Sequence, residues 1–132
     1  MLRLVSGIVI GVIAGFGAIF VAETVGHRIY PPPPGSDASS MEGIKAMIGV
    51  MPVGALVAVL VAWGLGTYVA AAVALLIAQR RRIAGWIAAG VLVLASAATL
   101  VMIPHPLWFV IAAAALAALA VWLADRLYAS KG

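Results

Sequence analysis

The sequence predicts an all-α membrane protein with four transmembrane helices and a short interfacial amphipathic helix in the first outer loop. Of its 132 residues, 66% are hydrophobic and only 9% are charged, whereas soluble globular proteins carry about 25% charged residues. A chain this short cannot hide so much apolar surface from water, because small domains expose a large fraction of their area. The hydrophobic residues also form four long runs. We therefore expect one transmembrane domain over residues 1–132.

The four runs cover about residues 4–22, 52–78, 83–103 and 107–124. Because a helix rises about 1.5 Å per residue, roughly 20 apolar residues cross a 30 Å hydrocarbon core. Backbone groups in lipid must bond to one another, which favours helices, and the runs lack the alternation of a β-barrel. The first run exceeds the usual signal-peptide core of about 7–15 residues, so we expect a retained span. Pro104 and Pro106 flank His105 and predict a tight turn between the last two spans.

Basic residues predict the orientation. Six lie at one membrane face and two at the other: Arg3, Arg80, Arg81, Arg82, Arg126 and Lys131 against Arg28 and Lys45. We expect both termini in the cytoplasm and the first loop, residues 23–51, outside. The Arg80–Arg82 block predicts contact with anionic lipid headgroups that helps to set this topology. No nucleic-acid-binding motif accompanies the block, so we expect no nucleic acid partner.

The outer loop begins with a stiff proline-rich spacer, and a segment with a helical pattern follows it. Ser39 and Glu42 have the spacing of a capping box. Apolar residues then recur at helical spacing: Met41, Ile44, Met47, Ile48 and Met51. This pattern predicts a short amphipathic helix on the outer surface before Pro52 opens the second span. The alternative is that this segment continues the second span with a proline kink.

Small residues recur at every fourth position in the first two spans, at Gly7, Gly11 and Gly15 in the first and at Gly54, Ala58, Ala62, Gly66, Ala70 and Ala74 in the second. In lipid, helices associate through close packing, so such rows indicate contact faces. Either the rows close a monomeric four-helix bundle, or at least one row docks onto another molecule. Besides the lipid bilayer, we expect a homo-oligomer or a partner membrane subunit.

A candidate polar cluster lies at the outer end of the first span. Glu23 and His27 are four residues apart and share a face if the helix continues past Ala22. His105 lies at a similar depth in the other outer turn. The three could converge into a proton-responsive network or, in principle, hold a divalent metal. The alternative is that they are separate interfacial residues, and we predict no bound metal.

Elsewhere in the chain, residues and motifs typical of catalysis or metal binding are rare. There is no cysteine, which excludes disulfides and thiolate metal sites. The sequence contains no zinc-protease, P-loop, nucleophile-elbow or dinucleotide-binding motif. We therefore expect neither enzymatic activity nor a cofactor.

Residues 26–33 (GHRIYPPP) and 102–108 (MIPHPLW) resemble two signatures of a group of small bacterial inner-membrane proteins of uncharacterised activity. The resemblance covers nearly the whole chain and implies a bacterial inner-membrane location. The chain is also similar to small multidrug resistance transporters, which are short four-helix proteins with a glutamate in the first span, here Glu23. It departs from them in its long proline-rich loop, in the position of Glu23 at the membrane edge, and in its other three spans, which do not match.

The sequence favours a non-enzymatic inner-membrane protein, a structural or accessory component that associates through small-residue helix faces. The alternative function is a small oligomeric transporter or channel that uses Glu23, His27 and His105 at the outer face.

Overall fold

The computed structural model describes residues 2–30, 40–50, 52–102 and 105–129. These residues form five helices and no strand: α1 (Leu2–Ile29), α2 (Met41–Val50), α3 (Val53–Ile77), α4 (Arg82–Met102) and α5 (Leu107–Tyr128). All but α2 are long and apolar enough to cross a membrane. The protein is therefore a multi-pass integral membrane protein, and the predicted fold class is confirmed.

α1 extends further than the sequence pattern indicated. The first span was expected to end at Ala22, but the helix runs on to Ile29, and the backbone N–H of Tyr30 still donates to the carbonyl of Gly26 at 2.8 Å. The extension packs on the start of α3, where Gly26 meets Ala58. Tertiary contact therefore maintains the helix beyond the most hydrophobic run, and the outer loop begins seven residues later than predicted.

Prolines start two of the spanning helices, as predicted. Pro52 and Pro106 are the N-cap residues of α3 and α5. The carbonyl of Pro52 accepts a hydrogen bond from the backbone N–H of Ala55 at 3.0 Å, and the carbonyl of Pro106 accepts one from the backbone N–H of Phe109 at 3.0 Å. Proline suits these positions because an amide here would have no partner within the helix. Ile103 and Pro104 lie outside the described residues.

The turn between α3 and α4 uses left-handed backbone at two non-glycine residues. Gln79 has φ 56° and Arg80 has φ 65°. The amide of Arg80 donates to the carbonyl of Leu75 at 2.6 Å, which is the long hydrogen bond of a Schellman cap. This turn reverses the chain within a few residues and returns α4 directly alongside α3.

α3 lies at the centre of the bundle and packs on α1, α4 and α5, while α1 also contacts α4. The core consists mostly of alanine. On one side of α3, Ala70 and Ala74 pack with Ala84 and Leu92 of α4. On the other side, Leu75 packs with Val121 of α5. Small side chains let the helix backbones approach closely, which is how helices associate in lipid.

α2 confirms the short helix predicted in the outer loop, with a shifted cap. The hydroxyl of Ser40 accepts from the amide of Gly43 at 3.0 Å, so Ser40 is the N-cap and Gly43 takes the position expected for Glu42. Ser39 lies outside the described residues. Within the described part of the chain, α2 packs on none of the other helices. Met51, between α2 and Pro52, lies outside the described residues.

Candidate functional site

The outer polar cluster is organised around a residue that the sequence did not single out. Trp63, ten residues into α3, donates its indole N–H to Oε1 of Glu23 at 3.3 Å. Glu23 is half-buried because α1 continues past it and turns this face toward α3. An indole that is largely out of water needs an acceptor, and a carboxylate oxygen supplies one. The bond therefore ties the outer part of α1 to α3.

His105 reaches the same tryptophan through ring contacts. Its imidazole stacks on Phe109, with ring centroids 4.6 Å apart and an interplanar angle of 27°. The Trp63 indole meets Phe109 edge-on at 5.3 Å and lies 6.2 Å from His105. Phe109 is fully buried between these rings and Leu60 of α3. The start of α5 is therefore fixed against α3 by aromatic packing.

Glu23 and His27 share one face of α1, as predicted. Together with Tyr30 of the same segment and Ala55 and Ala58 of α3, they line a pocket of about 10 Å³. A water needs about 10–15 Å³, so this pocket has room for one water at most. His27 itself is exposed.

The structure links the predicted residues in pairs and does not show all three meeting at one point. Glu23 and His27 line one small pocket, and Glu23 and His105 both contact Trp63. Among the residues that the structure describes, no group of three histidine, aspartate or glutamate side chains is placed to hold a metal ion.

The two predicted small-residue rows face each other inside the chain. A methyl group added at Gly7 would lie 2.8 Å from the carbonyl oxygen of Ala74, and one added at Gly15 would lie 2.8 Å from that of Gly66. Ala62 is fully buried. Further out, Ala58 meets Gly26, and Gly54 meets the phenol of Tyr30. These rows form the α1–α3 interface, so any partner surface must use other faces.

The opposite end of the bundle carries the arginine block. Arg82 Nε lies 3.4 Å from Oδ1 of Asp125, an ion pair whose side chains are 66% and 18% exposed, although that oxygen accepts no hydrogen bond. Arg80 donates to the backbone carbonyl of Tyr128 at 3.2 Å. Arg81 is exposed. Arg80 and Arg82 therefore tie the α3–α4 turn to α5.

A tyrosine pair lies just inside this end. The hydroxyls of Tyr68 in α3 and Tyr128 in α5 are 3.1 Å apart, with ring centroids 6.3 Å apart. On the exposed side of α5, the guanidinium of Arg126 lies 5.3 Å from the centre of the Trp122 ring. The sequence pattern did not point to Asp125 or Tyr128 as partners of the arginine block. Asp125 was detectable in principle, because it is the last acidic residue of the chain and follows an apolar span whose end should meet that block.

No family model, no curated protein and no solved structure matches this chain.

Proposed function

We propose that this protein is a non-enzymatic structural or accessory component of a bacterial inner membrane. In this proposal both termini lie in the cytoplasm, and the protein associates with a second copy or with another membrane subunit through small-residue helix faces. The observation that carries the proposal is a pair of glycines in the spanning helices, Gly17 and Gly90. A methyl group added at either position would have no neighbour within 4 Å from another of the helices that the structure describes.

Other glycines in the spans have an evident use. Gly7, Gly11 and Gly15 admit the backbone of α3, and Gly85 admits the side chain of Leu75. A glycine inside a helix costs about 0.5–1 kcal/mol relative to alanine, and close packing offsets that cost where another helix approaches. Gly17 and Gly90 receive no such offset from the helices described above. An approaching partner helix would supply it.

The interior of the bundle supports a structural role. Its buried side chains are alanine, leucine, valine and one phenylalanine, with Thr67 the buried polar residue among those described. The Thr67 hydroxyl donates to the carbonyl of Trp63 in its own helix at 2.9 Å. An ion or proton path through a membrane usually contains ionisable side chains facing the bundle interior, and the described core offers none. Close packing without such groups suits a scaffold.

The test measures the mass of the protein in lipid nanodiscs and asks whether a partner copurifies with it from source membranes. We expect a dimer or a stoichiometric complex for the wild type. Gly90→Leu should dissociate it, whereas Val91→Leu, at the adjacent exposed position, should not. Gly17→Leu and Phe16→Leu form a second matched pair. A Cβ at either glycine would meet no neighbour among the described helices within 4 Å, so we expect the larger side chain to be accommodated without disturbing the fold. A monomer without partners, unchanged in every variant, would refute the proposal.

A second candidate function is a small oligomeric transporter or channel with its site at the outer face. The observation in its favour is the contact of Glu23 and His105 with one indole, because a carboxyl group and imidazoles at one depth can exchange protons. Its test is flux of protons, divalent metals or cationic drugs into liposomes that contain the protein. Glu23→Gln, His27→Ala and His105→Ala should each reduce the flux. Wild-type flux no greater than that of empty vesicles excludes this function.

A further inference from the structure

A lateral crevice lies between α4 and α5, with α3 as its floor. It has a volume of about 150 Å³. Four residues of α3 line this floor: Leu60, Trp63, Gly64 and Thr67. At Gly64 an added methyl group would be in ordinary van der Waals contact with Leu116 of α5, 3.7 Å away. α5 therefore packs closely on one edge of this floor, and the crevice lies between that contact and α4.

The walls of the crevice open to the outside of the bundle. Val93 and Ala97 of α4 and Val110 and Ala114 of α5 line it and are themselves exposed. Both walls belong to helices that are apolar enough to span a membrane, so the opening faces hydrocarbon. The α5 wall starts three residues into its helix and continues to Ala117, which is about 5–15 Å below the outer end at 1.5 Å per residue. The crevice thus lies within one leaflet, the one opposite the arginine block.

Water is a poor occupant for this space. Apolar cavities of about 150 Å³ in proteins remain dry and take up hydrocarbon-like ligands instead. Two hydroxyl-bearing residues line the crevice, Thr67 on the floor and Ser96 on the α4 wall, and the Thr67 hydroxyl already donates its hydrogen to the carbonyl of Trp63. An empty crevice would leave its lining atoms without dispersion partners on one side. The molecule with direct access from the open side is a lipid, and the part of the lipid at that depth is its acyl chain.

We propose that the crevice between α4 and α5 binds one acyl chain of a bilayer lipid from the leaflet opposite the arginine block. Trp63 lines the bound chain on the α3 side and reports on it. This site is separate from the partner faces at Gly17 and Gly90, because neither glycine lines the crevice. Its occupation does not depend on whether the protein has a partner.

The test uses Trp63 as the reporter. A variant with Trp86, Trp108 and Trp122 replaced by phenylalanine retains this single tryptophan and is reconstituted into vesicles of phosphatidylcholine with brominated acyl chains, which quench indole fluorescence on contact. We expect strong quenching. Ala97→Leu in this background fills the crevice from its α4 wall and should remove most of the quenching. Ala98→Leu adds the same side chain at the next exposed position, outside the crevice, and should leave it unchanged.

A second matched pair checks the other wall, with Ala114→Leu inside the crevice and Ala115→Leu outside. Equal quenching in the filled and control variants would overturn the proposal, because the bromines would then reach Trp63 by another route. Weak quenching of the wild-type background, combined with a dimer that Ala97→Leu converts to monomer, would also overturn it and assign the crevice to a second copy of the chain.

Discussion

The most direct test of the packing is a comparison of two glycine-to-alanine variants, Gly11→Ala in α1 and Gly64→Ala in α3. A methyl group at Gly11 would lie 2.6 Å from the carbonyl oxygen of Ala70, 3.0 Å from Cβ of Ala74 and 3.1 Å from its backbone nitrogen. Two of these atoms are backbone and cannot rotate away. Since contacts below 3.0 Å essentially never occur for Cβ, α1 must retreat by at least 3.0 − 2.6 = 0.4 Å.

Gly64→Ala is the matched control. Its added methyl group would meet Leu116 at 3.7 Å, which is an ordinary contact. Both substitutions gain the same helix propensity, about 1 kcal/mol, so that gain cancels in the comparison. Overpacking typically costs about 1–3 kcal/mol. We therefore expect the free energy of unfolding of Gly11→Ala to be lower than that of Gly64→Ala by about 1–3 kcal/mol.

The assay is reversible unfolding in mixed micelles as the mole fraction of sodium dodecyl sulfate is raised, followed by tryptophan fluorescence. Gly64→Ala should be as stable as the wild type or more stable. If Gly11→Ala is at least as stable as Gly64→Ala, α1 and α3 are not in backbone contact at Gly11, and the register of the two small-residue rows is different from the one described above.

Three further perturbations use the same unfolding assay. A double-mutant cycle of Glu23→Ala and Trp63→Phe should give a coupling energy of about 0.5–1.5 kcal/mol, the net value of one hydrogen bond. A cycle of Arg82→Gln and Asp125→Asn should give less than about 1 kcal/mol, because this pair is partly solvated, and added salt should weaken it further. Gln79→Gly should raise the free energy of unfolding by about 0.5–1 kcal/mol, because glycine removes the left-handed strain at φ 56° while losing more backbone entropy on folding.

Each of these variants has a control or a result that would contradict it. Gln79→Ala should bring no gain, since alanine has the same left-handed strain as glutamine, and an equal gain would contradict the cap geometry. Arg81→Gln should leave stability unchanged but reduce the retention of anionic lipid during purification. Zero coupling between Glu23 and Trp63 would mean that the indole bond does not persist in the membrane.

Local pattern in the sequence was sufficient for the architecture. Runs of about 20 apolar residues predict spanning helices regardless of their neighbours, because the backbone in lipid must satisfy its own hydrogen bonds. Pro52 and Pro106 located two helix starts for an equally local reason, the missing amide hydrogen. The spacing of Glu23 and His27 placed them on one face. The same pattern did not predict that α1 continues to Ile29, since that extension depends on contact with α3.

The tertiary structure decides which helix faces contact each other. The row of Gly7, Gly11 and Gly15 predicted a contact but not the partner, and the fold supplies α3 of the same chain. Trp63 emerged as the link between Glu23 and His105 only once α1, α3 and α5 were in place. The crevice between α4 and α5 likewise has no local signature. Apolar helices in lipid lack a hydrophobic gradient that would select one face over another, so shape complementarity between distant segments makes that selection.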